Sequence, residues 1–210
     1  MKITVIGASA GVGLETVKRA LQRHHHVTTL SRSEISLPSH PNLTTLRGSA
    51  TQKEALKQAI DQAEAVIVAL GTGKSMKATT LYSDFAKLLV EIQQETHTTI
   101  PFIVVTGFGA GESGAFNTFW MKLFFKFFLK DVYADKTKME EVISDSSIKW
   151  EIVRPGLLKE KPLTEQYRVE TFLYKGINIG AINRTDVADF LVKQAENPTL
   201  LYQYVSLSNQ

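Results

Sequence analysis

Short apolar runs recur along the chain at residues 3–6, 27–30, 43–46, 66–70, 102–105 and 150–153. Each is a few residues long, rich in β-branched side chains and bounded by polar or turn-forming residues, which predicts strands. The stretches between them have a different period. Residues 13–23 set Leu14, Val17, Ala20 and Leu21 on one stripe, and residues 53–62 do the same with Leu56, Ala59 and Ile60. Residues 82–94 carry Phe85, Leu88, Leu89 and Ile92, and residues 136–144 carry Met139, Val142 and Ile143. This is the 3.6-residue spacing of amphipathic helices. Strands alternating with helices predict βαβ units, and strands apolar on both sides predict helices over both faces. The expected fold class is α/β, a three-layer doubly wound parallel sheet.

After Pro155 the pattern loosens. A strand over 177–182, a helix over 185–194 and a last strand over 202–207 are predicted. Residues 155–210 are expected to complete the sheet and form a small cap over the substrate. The loops at 37–42, 71–75 and 107–114 do not have the look of domain linkers, and there is no repeat or low-complexity tract. A length of 210 residues suits a single domain spanning 1–210.

The strongest chemical signal lies at the first strand. Residues 3–17 read ITVIGASAGVGLETV, so a buried strand runs into Gly7-x-x-x-Gly11-x-Gly13 and then into a helix. Gly7 suits a tight turn, Gly11 a close approach of backbone to a pyrophosphate, and Gly13 helix–strand packing. The helix N-terminus offers N–H groups to phosphate, and Ser9 adds a hydroxyl. In this strand–loop–helix context the motif points to a dinucleotide. The end of the second strand reads VTTLSRS, with no acid to accept bonds from ribose hydroxyls. Arg32 stands where the discriminating side chain belongs, flanked by Ser31 and Ser33. A guanidinium pairs with a 2′-phosphate, so NADP(H) is expected over NAD(H).

Composition narrows the field. There are no cysteines, which excludes disulfides, cysteine-ligated metals and thiol nucleophiles. Lys+Arg 24 against Asp+Glu 21 gives a net charge of only +3, without a basic tail, so nucleic acid is not an expected partner. The start is too short in apolar residues for a signal peptide, and no apolar run is long enough to span a bilayer; a cytoplasmic protein is expected. His24, His25 and His26 are read as structural, since consecutive histidines do not converge easily on one ion, and no metal site is expected. The sequence GTGKS over 71–75 has the tail of a phosphate-binding P-loop, but Val68 stands where that pattern needs glycine.

Taken together, VIGASAGVG, LSRS, AVIVALGTG, FIVVTGFG, KMEEVISDSSIKWEIVRPGLL and RTDVADFLV resemble the atypical short-chain dehydrogenase/reductase family. The nearest branch resembles NAD(P)H-binding proteins related to biliverdin reductase B, the flavin reductases and NmrA-like sensors. The resemblance covers nearly the whole chain. It implies a Rossmann-like domain with NADP in a groove at the C-terminal ends of the strands. Gly7, Ser9, Ala10, Gly11, Val12 and Gly13 would match the phosphate loop, and Ser31 and Arg32 the 2′-phosphate site. Ser49 and Ala50 would line the adenine, with Ser49 where such proteins often have Asp. Leu70, Gly71 and Thr72 would contact the nicotinamide-side ribose. Thr106 and Gly107 would face the nicotinamide, as would Arg154, Pro155, Gly156 and Leu158. The glycine spacing departs from the Gly-x-x-Gly-x-x-Gly of the atypical branch, which would need glycine at Ala10.

The main branch of that family uses Tyr-x-x-x-Lys, with the tyrosine as proton donor and the lysine lowering its pKa and holding the ribose. Here KDVYADK over 130–136 places Tyr133 and Lys136 one residue too close. Positions i and i+3 still share most of a helix face, but the helix is expected to start near Tyr133, where geometry is least regular. Lys136 is expected in the cofactor groove. Tyr133 stands open between general acid and half-buried helix residue, and Thr106 is the candidate to orient a carbonyl. Without an acid, hydride transfer still suits flavins and quinones, which take protons from water more readily than ketones do.

The expected function is therefore NADPH-dependent reduction of a flat conjugated acceptor. The alternatives are a non-catalytic NADP(H) sensor of NmrA type and an enzyme like the nucleotide-sugar epimerases and dehydratases. Residues 116–132 hold seven aromatic side chains, with Lys122, Lys126 and Lys130 at four-residue spacing. They read as a substrate lid, a homodimer or partner-protein surface, or core packing; a membrane-surface helix has the same pattern.

Overall fold

In the computed structural model, residues 1–73, 78–116, 123, 127 and 129–210 are described. The strands are β1 (Lys2–Ile6), β2 (His26–Ser31), β3 (Leu43–Arg47), β4 (Ala65–Val68), β5 (Pro101–Val105), β6 (Lys149–Pro155), β7 (Leu157–Lys159), β8 (Tyr167–Glu170), β9 (Ala181–Asn183) and β10 (Tyr204–Asn209). The helices are α1 (Gly11–Gln22), α2 (Lys53–Ile60), α3 (Leu81–Thr96), α4 (Lys130–Ser144) and α5 (Arg184–Glu196), with a 3-10 helix at Gly111–Phe116.

Eight strands form one sheet in the order β3-β2-β1-β4-β5-β6-β10-β8. All pairings are parallel except that of β8 with β10. β7 and β9 pair with each other as a separate parallel ribbon. The chain reverses direction across the sheet between β1 and β4, the doubly wound arrangement that the alternation predicts.

Alternation along each strand builds two cores. Ile6, Leu30, Val66, Val68, Val104 and Ile152 face α2, α3 and α4, where they meet Leu56, Phe85, Leu89, Met139 and Ile143. Ile3, Val5, Val27, Ile67, Ile103 and Val153 face the other way, onto Val17 and Ala20 of α1 and Val187, Phe190 and Leu191 of α5. Helices α1 and α5 are tied at their rims as well. Asp189, fully buried, accepts from Arg19 (2.6 Å), Lys193 (2.7 Å) and the Tyr167 hydroxyl (2.8 Å). Glu196 holds Arg23 and His25, each at 2.7 Å, which gives His25 a structural partner across the fold.

The structure departs from the sequence pattern in three places. Helix α4 begins at Lys130, six residues earlier than the apolar stripe at 136–144 suggests. The strand expected over 177–182 is only Ala181–Asn183. Strands β7 and β8 are only three and four residues long, and they are ordered by tertiary pairing rather than by an apolar run of their own. Among the described residues no helix is long and apolar enough to cross a membrane.

Glu151 of β6 breaks the apolar rule. It points into the α1–α5 core, is 0% exposed, and has no partner for either carboxylate oxygen among the described residues. Burial pushes its carboxyl up to about 8. The neutral form is thus the folded form. Its contribution to stability is complete below the ordinary carboxyl value of 4.5 and is lost as pH rises towards about 8. Urea unfolding from pH 5 to pH 8 should therefore show Glu151→Gln gaining on the wild type as pH rises, by about 2 kcal/mol or more at pH 8.

Candidate cofactor cleft and active site

A cleft of about 810 Å³ runs across the C-terminal ends of the parallel strands, at the point where the chain reverses its winding direction. The strand order lays its wall out from the ends of β3 and β2, past β1 and β4, to β5 and β6.

At its centre is the turn from β1 to α1. Gly7 adopts φ +87°, and a side chain there would be driven into the carbonyl of Ala69, just beyond β4. A side chain on Gly13 would strike the carbonyl of Gly7, so this glycine seats the helix and does not itself line the cleft. Gly11 has φ +56° and faces open space, with Arg184 Nε 3.6 Å from where a Cβ would lie. Ser9, Ala10, Gly11 and Val12 all line the cleft. Ala10 precedes α1 in extended conformation and offers no side-chain cap, and among the described residues the first helical bond is that of Leu14 N–H to the Ala10 carbonyl, at 3.3 Å. The first N–H groups of α1 are thereby left for an anion.

Ser31, Arg32, Ser33, Ser49 and Ala50 line one end. The Ser31 hydroxyl is turned to the Ser33 carbonyl (2.7 Å), and Arg47 Nε donates to the Arg32 carbonyl (3.3 Å), holding the loop that carries the exposed Arg32. Leu70, Gly71 and Thr72 line the middle. Lys74 and Ser75 lie outside the described residues, as do Lys122 and Lys126.

At the other end stand Tyr133 and Lys136. Because α4 starts at Lys130, both sit in the helix body rather than at its fraying tip. Lys136 Nζ donates to the Thr106 carbonyl (2.6 Å) and lies over the rings of Tyr133 (5.0 Å) and Tyr82 (5.4 Å). The two side chains converge on Gly107. Its φ is +151°, and a Cβ there would be 2.8 Å from the Tyr133 hydroxyl and 3.7 Å from Lys136 Nζ. Gly107 thus makes room for the pair without itself lining the cleft. Burial pushes the Tyr133 phenol up to about 12, so it is a neutral O–H group and a weak acid. Burial also lowers the Lys136 amine to about 8, with Glu140 opposing.

Asp135, next to Lys136 in the chain, is buried and accepts backbone N–H bonds from Tyr82 (2.9 Å) and Ser83 (3.3 Å). The N-cap residue Thr80 makes no side-chain cap on α3; Thr79 Oγ1 accepts the Leu81 N–H (3.1 Å), and Asp135 caps the next two N–H groups from α4. The apolar spacing does not reveal this tie. The one available signal is an acid within the helix that bears the candidate pair.

Residues 7–198 match the family of NAD(P)H-binding proteins. The chain belongs to this family. A short-chain dehydrogenase/reductase from Veillonella parvula DSM 2008, solved in complex with NADP, superposes with a TM-score of 0.81 at 19% identity, covering 99% of this chain and 94% of that one. ChuY from Escherichia coli O157:H7, described as an anaerobillin reductase, gives 0.77 at 21% identity over 100% and 97%. A chain from Streptococcus pneumoniae TIGR4, provisionally named an NADH-flavin reductase, gives 0.79 at 22% identity over 100% of each. At these identities the likeness shows a shared fold, a Rossmann-like α/β domain.

The cleft of this NAD(P)H-binding protein fits the dinucleotide that its family binds. The open side of Gly11 and the uncapped start of α1 would take the diphosphate.

Besides Gly13 and Gly107, three more expected site residues lie elsewhere or do something else. Thr106 lines the cleft, but its hydroxyl is donated to Glu140 (2.6 Å), so it is not aimed at a substrate carbonyl; its own carbonyl holds Lys136 instead. Arg154 is 1% exposed on the far side of β6 and does not reach the cleft. Strand alternation turns it towards α4, where it pairs with Glu140 (2.7 Å) and Glu112 (2.6 Å) and stacks 4.1 Å over the Tyr204 ring. Gly156 lets the chain pass against the Gly180 carbonyl and is structural. Pro155 and Leu158 do line the cleft. Sequence reasoning missed Leu81, Tyr82, Leu129, Val132, Glu160 and Arg184, which also line it.

Burial disfavours the Arg154 charge, but Glu140 and Glu112 outweigh that and hold its pKa above the ordinary value. Arg154→Met would leave Glu140 buried and unpaired. Chemical denaturation at pH 7 should show a loss of about 3–5 kcal/mol.

Proposed function

We propose that this protein is an NADPH-dependent reductase whose acceptor is a flat conjugated molecule of flavin or quinone type. The observation that carries the reading is the end of the cleft at β5 and β6. There a lysine and a neutral tyrosine converge beside an apolar wall of Leu81, Tyr82, Leu129, Val132 and Leu158. When bound, the nicotinamide supplies the hydride, and the protein supplies orientation. Lys136, fixed by the Thr106 carbonyl, stands ready to hold a ribose hydroxyl. Burial makes Tyr133 a weaker acid than an ordinary tyrosine, which favours acceptors whose reduced forms draw protons from water. Arg32, with no acid beside it at the end of β2, favours NADPH over NADH. The complex of the Veillonella protein with NADP supports the cofactor, and the name of the pneumococcal one, which specifies NADH, supports only the flavin-type acceptor. The lack of cysteine suits a reducing compartment, so we place the reaction in the cytoplasm.

A second reading, a non-catalytic NADP(H) sensor, draws on two exposed apolar residues. Phe127 is 69% exposed and Leu123 is 39% exposed, in the segment expected to meet a partner. Turnover decides between the two.

Titration calorimetry should show NADPH binding more tightly than NADH. Arg32→Ala should weaken NADPH by about 10- to 100-fold, the range for a charge-assisted bond, and leave NADH nearly unchanged. NADPH oxidation should accelerate on adding FMN or menadione; tight binding with no turnover on either would favour the sensor. Tyr133→Phe should keep the FMN rate within about tenfold, whereas loss of a required acid would remove about 10²–10⁴.

A further inference from the structure

Outside the groups discussed so far, one ion pair stands directly over the phosphate-binding turn. The ribbon of β7 and β9 is parallel, with Lys159 beside Asn183. The next residues, Glu160 and Arg184, therefore leave the ribbon side by side, and their side chains pair at 3.2 Å. Both line the cleft, and Glu160 is the one acid among its described lining residues. Arg184 Nε lies 3.6 Å from the open side of Gly11, so the guanidinium overhangs the start of α1.

We propose that Arg184 and Glu160 form a charge-exchange clasp for the cofactor diphosphate. Before binding, Arg184 is held by Glu160; on binding, it transfers to the diphosphate and Glu160 swings out to water. This rests on the dinucleotide reading of the cleft and adds to it a residue from the opposite wall.

The two side chains differ in the way such an exchange requires. The Glu160 side chain is 84% exposed and that of Arg184 only 27% exposed. An exposed ion pair is weak, and a diphosphate brings more charge and more acceptor oxygens to the same guanidinium. The backbone beneath is fixed and need not move. Asp186 accepts the N–H groups of Thr164 (2.8 Å) and Glu165 (2.9 Å), and Thr185 Oγ1 donates to the Lys161 carbonyl (2.9 Å). The exchange is therefore one of side chains, not a lid closure.

The sign of the Glu160 effect is the distinctive part. If Glu160 competes with the ligand, Glu160→Gln tightens binding. If it merely steadies Arg184, the same change weakens it. Calorimetry on the full chain with NADPH, NADH and ADP-ribose tests this, because all three share the diphosphate and only NADPH has the 2′-phosphate. Arg184→Ala should weaken all three by a similar factor of about 10–100. Arg184→Lys, which keeps the charge without the fork, should lose less and guards against a folding artefact. Glu160→Gln should tighten all three several-fold. Unchanged affinity in both Arg184 variants, or weakening in Glu160→Gln, would overturn the clasp while leaving the cofactor reading intact. No binding of any dinucleotide by the wild type would remove both.

Discussion

The turn between β1 and α1 works only because three backbone segments approach one another without side chains between them. Gly7 passes against the carbonyl of Ala69, and Gly13 seats α1 against the carbonyl of Gly7. These contacts bring the first turn of a helix to the edge of the sheet at the point where the chain reverses its winding. Gly11 then presents bare backbone at the top of that turn. A methyl group at either packed glycine would push the helix away and close the path that a diphosphate needs. The cleft, its orientation and the placing of its two ends all follow from that close approach.

A second constraint sets the chemistry at the far end. Helix α4 must present Tyr133 and Lys136 in one direction, and it is held on two sides. Asp135 fastens it to the start of α3, and Glu140 fastens it to Arg154 of β6 and to the Thr106 hydroxyl. The buried charges lie behind the wall of the cleft rather than in it. Lys136 remains in the cleft, held by one carbonyl. A weakly acidic tyrosine and a fixed lysine suit hydride transfer to an acceptor that can find its own proton.

Much of this was legible in the residues. Apolar runs and 3.6-residue stripes located the core strands and helices, because burial on both faces leaves a clear mark. The glycine spacing and Arg32 marked residues that line one cleft. Other features left no local mark. Helix α4 extends back to Lys130, beyond the apolar stripe that marks its body. Arg154 follows strand alternation to the opposite side of β6 from the one assumed for it. Glu160 and Arg184 are brought together by the register of a two-stranded ribbon, a long-range pairing that no spacing along the chain encodes.

The central claim is that the β1–α1 turn holds a dinucleotide diphosphate while Lys136 and Tyr133 meet its nicotinamide. A crystal structure of the protein grown with NADPH tests it most directly. The account predicts the diphosphate against the N–H groups at Gly11 and Val12, the 2′-phosphate beside Arg32, and the nicotinamide between Pro155 and Lys136. A cleft that stays empty at saturating NADPH, or a cofactor bound with its nicotinamide at the Arg32 end, would contradict it.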